Sequence, residues 1–166
     1  PDVDQLIERV PPQSLETEMA VLGSMLMNEQ AVPVGLELLD PPAFYREAHR
    51  KIFQAMVNLF HRQKPVDLLT LTEELRAAGQ LEEVGGAHYL TSLTVVVPTS
   101  ANIEHYAKIV RGKAMLRSLI EASTRIVTDC YENQDEGDAL LDRADQALFE
   151  IAHRTRCFGH CSARHS

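Results

Sequence analysis

Apolar positions recur at helical spacing along most of the chain. Leu15, Met19, Leu22 and Leu26 fall at i, i+4, i+7 and i+11, the pattern of one buried helix face. Pro11-Pro12 ends a short leading segment, and Ser14 stands where an N-cap belongs. Glu16 and Glu18 occupy the first turn, where the helix dipole favours negative charge. Asn28 opens a weaker second helix with Pro33 in or near its first turn and Val34, Leu38 and Leu39 as apolar positions; Asp40-Pro41-Pro42 stops it. A third helix, from about Arg46 to His61, carries the stripe Ile52, Ala55, Met56 and Leu59, with Phe53 and Phe60 beside it. After Lys64-Pro65, the run Thr70-Leu71-Thr72-Glu73 reads as a capping box, and Gly79 as the left-handed residue that ends that helix. Gly85-Gly86 marks a turn, Ala87 to Leu93 a short helix, and Pro98-Thr99-Ser100 the close of a first region.

The second region reads differently. From about Ala101 to Glu132 nothing interrupts a helix except Gly112, about 1 kcal/mol less helix-stabilising than alanine. Leu116, Ile120, Ser123, Val127 and Cys130 trace one stripe, expected to be buried. Asn133 to Gly137 is a turn, Asp138 caps a last helix, and Leu141, Ala144, Leu148 and Ile151 form a heptad-like seam. Two long helices joined by a short polar loop make an antiparallel hairpin. Such a hairpin packs only one face inward, so its remaining apolar residues invite a partner. The expected fold class is therefore all-α, a compact helical globular subdomain followed by a long antiparallel helical hairpin. Its expected divisions are an N-terminal arm (1–10), the globular subdomain (11–98), the hairpin (99–153) and an unstructured tail (154–166).

Composition narrows the function classes. The 166 residues suffice for one domain, and 45% apolar content is enough to bury a core. Aromatics are only 5% and Trp is absent, so Leu, Ile, Val, Ala and Met must build most of it. Sixteen basic against 24 acidic residues give a net charge of −8, the wrong sign for gripping a phosphate backbone. The last thirteen residues hold three Arg and no acid; the remainder carries 13 basic against 24 acidic residues, a net of −11. No direct DNA binding is expected. The three cysteines, Cys130, Cys157 and Cys161, do not form a disulfide framework, the start Pro1-Asp2-Val3-Asp4 is no signal peptide, and no run is apolar enough to span a membrane. A cytoplasmic location follows as the expectation.

Catalytic motifs fail on inspection. Gly112-Lys113 has Ala107 where a phosphate loop needs Gly, Ala114 where it needs Ser or Thr, and a mid-helix position. Glu150-Ile151-Ala152-His153 is a single Glu-x-x-His pair, whereas a di-iron bundle needs two. It nevertheless defines the rival reading, a metal-dependent helical-bundle enzyme. Cys157, His160 and Cys161 lack a second ligand pair. His49 and His61 are expected at the surface or partly buried.

Several stretches resemble the N-terminal domain of bacterial replicative DNA helicases of the DnaB family. Pro11 to Glu16 with Glu18, Ala20, Val21, Leu22, Gly23 and Ser24 is similar to its opening signature, and Phe44 to Phe53 to the start of its third helix. Pro65-Val66-Asp67, Leu75, Leu81 to Gly86 and Tyr89-Leu90 continue the likeness. Val97-Pro98-Thr99, Ala101-Asn102-Ile103, Tyr106-Ala107 and Ile109-Val110-Arg111 resemble the start of its long helix. The resemblance covers about residues 9–153 and leaves out the tail, where the family continues into a charged helical linker.

The resemblance implies a fragment without catalysis, metal or cofactor of its own. Intact members add a RecA-like ATPase domain, so ATP and Mg²⁺ belong to the parent protein. It also implies partners: a second copy paired through the hairpin, a hexamer in the full-length protein, primase docked on the resulting collar, and a helicase loader. Family positions that influence primase coupling match Ile120 and Ile126, and Tyr89 matches an aromatic of the preceding subdomain. Ile120 lies on the expected buried stripe, which favours an effect through packing; Ile126 falls about one residue off it. With Leu116, Val127, Leu141 and Leu148, these make up the expected interface.

Overall fold

The computed structural model describes Gln5, residues 9–97 and residues 102–160, with side chains as far as Arg154. The chain is all-α, with no strand among the described residues. Helix α1 is Leu15–Met27 and α2 is Ala31–Leu38, followed by a short 3-10 turn at Pro41–Ala43. Helices α3 (Glu47–His61), α4 (Leu68–Ala77) and α5 (Gly86–Val95) complete the globular part. The long α6 (Ile103–Glu132) and α7 (Gly137–His160) form the antiparallel hairpin.

Local chemistry explains most boundaries. Ser14 is the N-cap residue of α1, although its hydroxyl pairs with that of Thr17 (2.7 Å) and leaves the backbone amides uncapped. Asn28 Oδ1 accepts from the Gln30 amide (3.0 Å) and turns the chain into α2. The capping box of α4 lies three residues earlier than the Thr70 reading places it. Asp67 Oδ1 accepts from the Thr70 amide (2.9 Å), and Thr70 Oγ1 accepts from the Asp67 amide (3.0 Å). Both Asp67 and Thr70 carry cap chemistry, but Leu68 packs partly buried against the core, in line with fully buried Leu71 and Leu75 at i+3 and i+7, and belongs in the helix, which moves its start upstream. At the other end Gly79 (φ +69°) donates to Arg76 O and Gln80 to Leu75 O, a Schellman motif.

The core gathers Leu22, Met25, Phe44, Ile52, Phe53, Met56, Leu71, Leu75, Leu90 and Leu93, all fully buried. Phe53 thus belongs to the core, against Phe44 at 4.9 Å between ring centroids, while Phe60 is exposed. Seven residues, about two turns, separate them, so Phe60 shares nearly the same side of α3 but sits in its last turn. Helix α1 lies centrally, packed on α6, α5, α2 and α3. It passes α5 so closely that a Cβ on Gly23 would lie 2.2 Å from Leu93 O. The first half of α6 joins this core through Ile103, Ala107 and Val110; its second half leaves it.

Helix α7 runs on to His160 and so takes in the first seven residues of the expected unstructured tail. Between His153 and His160 only Gly159 disfavours helix, and no proline intervenes. The rest of that expected tail, 161–166, lies outside the described residues, as do the side chains of Cys157, His160 and Cys161.

Candidate functional site

Two polar constellations and one surface stand out. The first is buried between α1, α3 and α5. Glu18, 2% exposed, accepts hydrogen bonds from the Tyr45 amide (2.9 Å) and the Arg46 amide (3.4 Å), at the N-terminus of α3, and pairs with His49 Nδ1 (2.8 Å). The other ring nitrogen of His49 meets the Tyr89 hydroxyl at 2.6 Å, and Arg46 Nη1 donates to that same hydroxyl (3.2 Å). His49 is therefore fully buried, correcting its expected place at or near the surface. The sequence signal was available: a carboxylate on the otherwise apolar face of α1 requires a buried partner. Burial raises the Tyr89 phenol above its ordinary pKa. It therefore remains a protonated donor at neutral pH, and the Tyr-His-Glu chain serves to lock three helices together.

The second constellation ties the hairpin to the globular part. Arg117 of α6 donates to Pro12 O and Ala43 O, each at 2.7 Å, and its guanidinium lies 5.4 Å from the centroid of the Tyr45 ring. Burial lowers its pKa, with Arg50 adding repulsion and Glu18 opposing both.

The surface is the hairpin itself. Leu116, Ile120 and Val127 are exposed, Ile120 by 51%, and Ser123 and Cys130 are exposed beside them. The stripe expected to be buried is thus an outer stripe. The inner face of α6 lies about a third of a turn away, with Ala122 buried and Ile126, Asp129 and Asn133 half-buried. Ile126, read as lying off the buried stripe, is on the inside of the hairpin. Periodicity reports that a stripe is apolar, not what covers it. On α7 the seam divides likewise: Ala144 and Ile151 are half-buried, whereas Leu141 (69%) and Leu148 point outward. Tyr131 and Phe149 are exposed aromatics of the hairpin missing from the sequence reading. Tyr131 continues the outer stripe four residues after Val127, so its signal was present. Tyr89 is half-buried on the globular part, held by the His49 chain.

The remaining candidates do not assemble. Gly112-Lys113 lies within α6, whose backbone amides already serve the helix and have no free turn to cradle phosphate, so the residues here do not fit ATP. Glu150 and His153 are exposed on α7, and His153 stacks on Phe149 at 6.0 Å. Among the described residues no three His, Cys, Asp or Glu converge to hold a metal ion, and nothing supports the metal-enzyme reading. No described helix is long and apolar enough to cross a membrane.

A family model described as the DnaB-like helicase N terminal domain matches residues 10–112, well over half of the chain. The chain belongs to this family. It is 50% identical over 147 residues to the replicative DNA helicase DnaB of Geobacillus stearothermophilus, covering 89% of this chain and 32% of that protein. It is 48% identical over 151 residues to the replicative DNA helicase DnaC of Bacillus subtilis, covering 91% and 33%. The chain thus spans about a third of the length of these relatives. Among solved structures it matches the N-terminal domain of DnaB helicase from Mycobacterium tuberculosis with a TM-score of 0.81 and 42% identity, covering 84% of this chain and 99% of that one. A structure of a DnaB-like replicative helicase and its interactions with primase shares the fold, with a TM-score of 0.67 at 24% identity over 83% of this chain and 31% of that one. The stretch matched by the family model takes in the globular part and the first third of α6.

Proposed function

We propose that this domain assembles and docks a replicative DNA helicase: it pairs with a second copy through the hairpin, supports a hexameric ring, and receives primase on the collar so formed. One observation carries the reading. Leu116, Ile120, Val127, Leu141 and Leu148 are exposed together on a hairpin that leaves the globular core. Helix-on-helix packing across them would supply the association energy. The primase role draws on the fold shared with the structure of a helicase and its interactions with primase. Ile126 and Tyr89 would act on that partner indirectly, through hairpin packing and the His49 chain. A helicase loader is a further partner of the same collar. ATP and Mg²⁺ would be used by the motor portion of the parent helicase, in the cytoplasm, and DNA would be handled there and not by this acidic domain.

Analytical ultracentrifugation tests the pairing. Concentration-dependent dimers are expected, and Ile120→Asp should give monomers of unchanged helicity because that side chain carries no core contact. A strict monomer at high protein concentration overturns the dimer. Titration with the helicase-interacting domain of primase tests docking, and absence of binding by the dimer overturns that part.

A further inference from the structure

We propose that the cleft between the 3-10 turn, α6 and the end of α7 binds a small oxyanion, a phosphate or carboxylate carried on an apolar body. The cleft has a volume of about 390 Å³, within the range of small-molecule sites. In a chain of net charge −8, four arginines line it: Arg50, Arg111, Arg117 and Arg154. Among the described residues two acids line the cleft with them, Asp40 and Glu121, and Glu121 is engaged by Arg125 at 3.3 Å.

Arg111 supplies the decisive detail. Its Nη1 is buried and has no hydrogen-bond partner among the described residues. That nitrogen is sealed from solvent as it stands and meets a ligand oxygen only after a turn of the side chain into the cleft, which would relieve a buried cationic donor of a kind folded proteins seldom leave unpaired. Among the described residues Arg50 donates from Nε to Phe44 O at 2.6 Å. Arg117 has both terminal nitrogens committed to the Pro12 and Ala43 carbonyls, so it fixes the wall and contributes field instead of a contact. Arg154 stands exposed on α7 at the rim. A planar guanidinium fork suits carboxylate and phosphate equally. Leu38, Met115 and Ile151 give the remaining lining an apolar character that suits the body of such a ligand.

Nucleic acid does not suit the site, since a polymer needs a continuous basic track and the chain as a whole carries a net charge of −8. A bound oxyanion would touch both the globular part and the end of α7, joining the two by a removable link.

Isothermal titration of the 166-residue chain with pyrophosphate, phenyl phosphate and an acetylated dipeptide ending in aspartate tests this, in low-salt buffer free of phosphate. Saturable binding of at least one probe is expected, with a dissociation constant on the order of 1 mM or tighter. Which probe binds best tells a phosphorylated ligand from a carboxylated one. Arg111→Met should weaken binding about tenfold, the loss of one charge-assisted hydrogen bond. Arg154→Gln, an exposed change that leaves the fold intact, should weaken it by a smaller factor, and circular dichroism checks the helicity of both variants. No saturable binding of any probe below about 10 mM, or equal affinity in wild type and both variants, overturns the proposal.

Discussion

Glu18 is a carboxylate 2% exposed that accepts from two backbone amides and pairs with a histidine, so its removal does more than break a single contact. Glu18→Ala would leave the Tyr45 and Arg46 amides, just ahead of α3, and the His49 ring without their acceptor. The expected destabilisation is about 3 kcal/mol in urea unfolding, with Glu18→Gln costing less because its amide oxygen still accepts. Tyr89 offers a pH signature at the end of the same chain. Burial raises its folded-state pKa above the unfolded value, so its contribution is fully present below about pH 10 and is lost as pH rises through the folded pKa. Tyr89→Phe should remove that part of the alkaline decline in stability, measured as urea midpoints across the alkaline range. The acidic residue of this network was visible in the sequence, but its partner was not. His49 is 31 positions away, and only the packing of α1 on α3 brings the two together.

At the scale of elements, the helices were largely legible because caps and breakers are local chemistry. Asn28, Gly79, Gly85 and the pair Pro41-Pro42 all mark real ends or turns. What failed was choice between equivalent local signals, as at Asp67 and Thr70, and the sense of the stripes on α6 and α7. Leu116, Ile120 and Val127 are as apolar and as regular as a core face; only the absence of an opposing element in the single chain turns them outward. Two glycines show the same divide between sequence and packing. Gly112 is helical and a Cβ there meets nothing within 4 Å, so Gly112→Ala should stabilise by about 0.4–1 kcal/mol. Gly23 is also helical, yet its Cβ would overlap the Leu93 backbone. Gly23→Ala should cost about 2–3 kcal/mol by forcing α1 away from α5, and thermal unfolding of the pair would show shifts of opposite sign.

The whole molecule joins a packed body to an extension with little burial of its own. The body accounts for all the fully buried side chains, and the candidate interface residues Leu116, Ile120, Val127, Leu141 and Leu148 are all exposed on the extension. That division explains why the fold class was readable while the site required coordinates. Composition and periodicity count apolar residues, but the allocation of those residues between core and surface is a property of the assembled chain. Helix α6 crosses the boundary, 30 residues and about 45 Å of continuous backbone. Its buried residues are Ile103, Ala107, Val110 and Ala122, with none beyond. One helix therefore contains two regimes of stability. Amides of its first half should exchange with solvent only when the body unfolds, whereas those after Ala122 should exchange through local opening of the hairpin. Pairing with a second copy would abolish this gradient, so deuterium uptake along α6 would read the state of assembly from within a single helix.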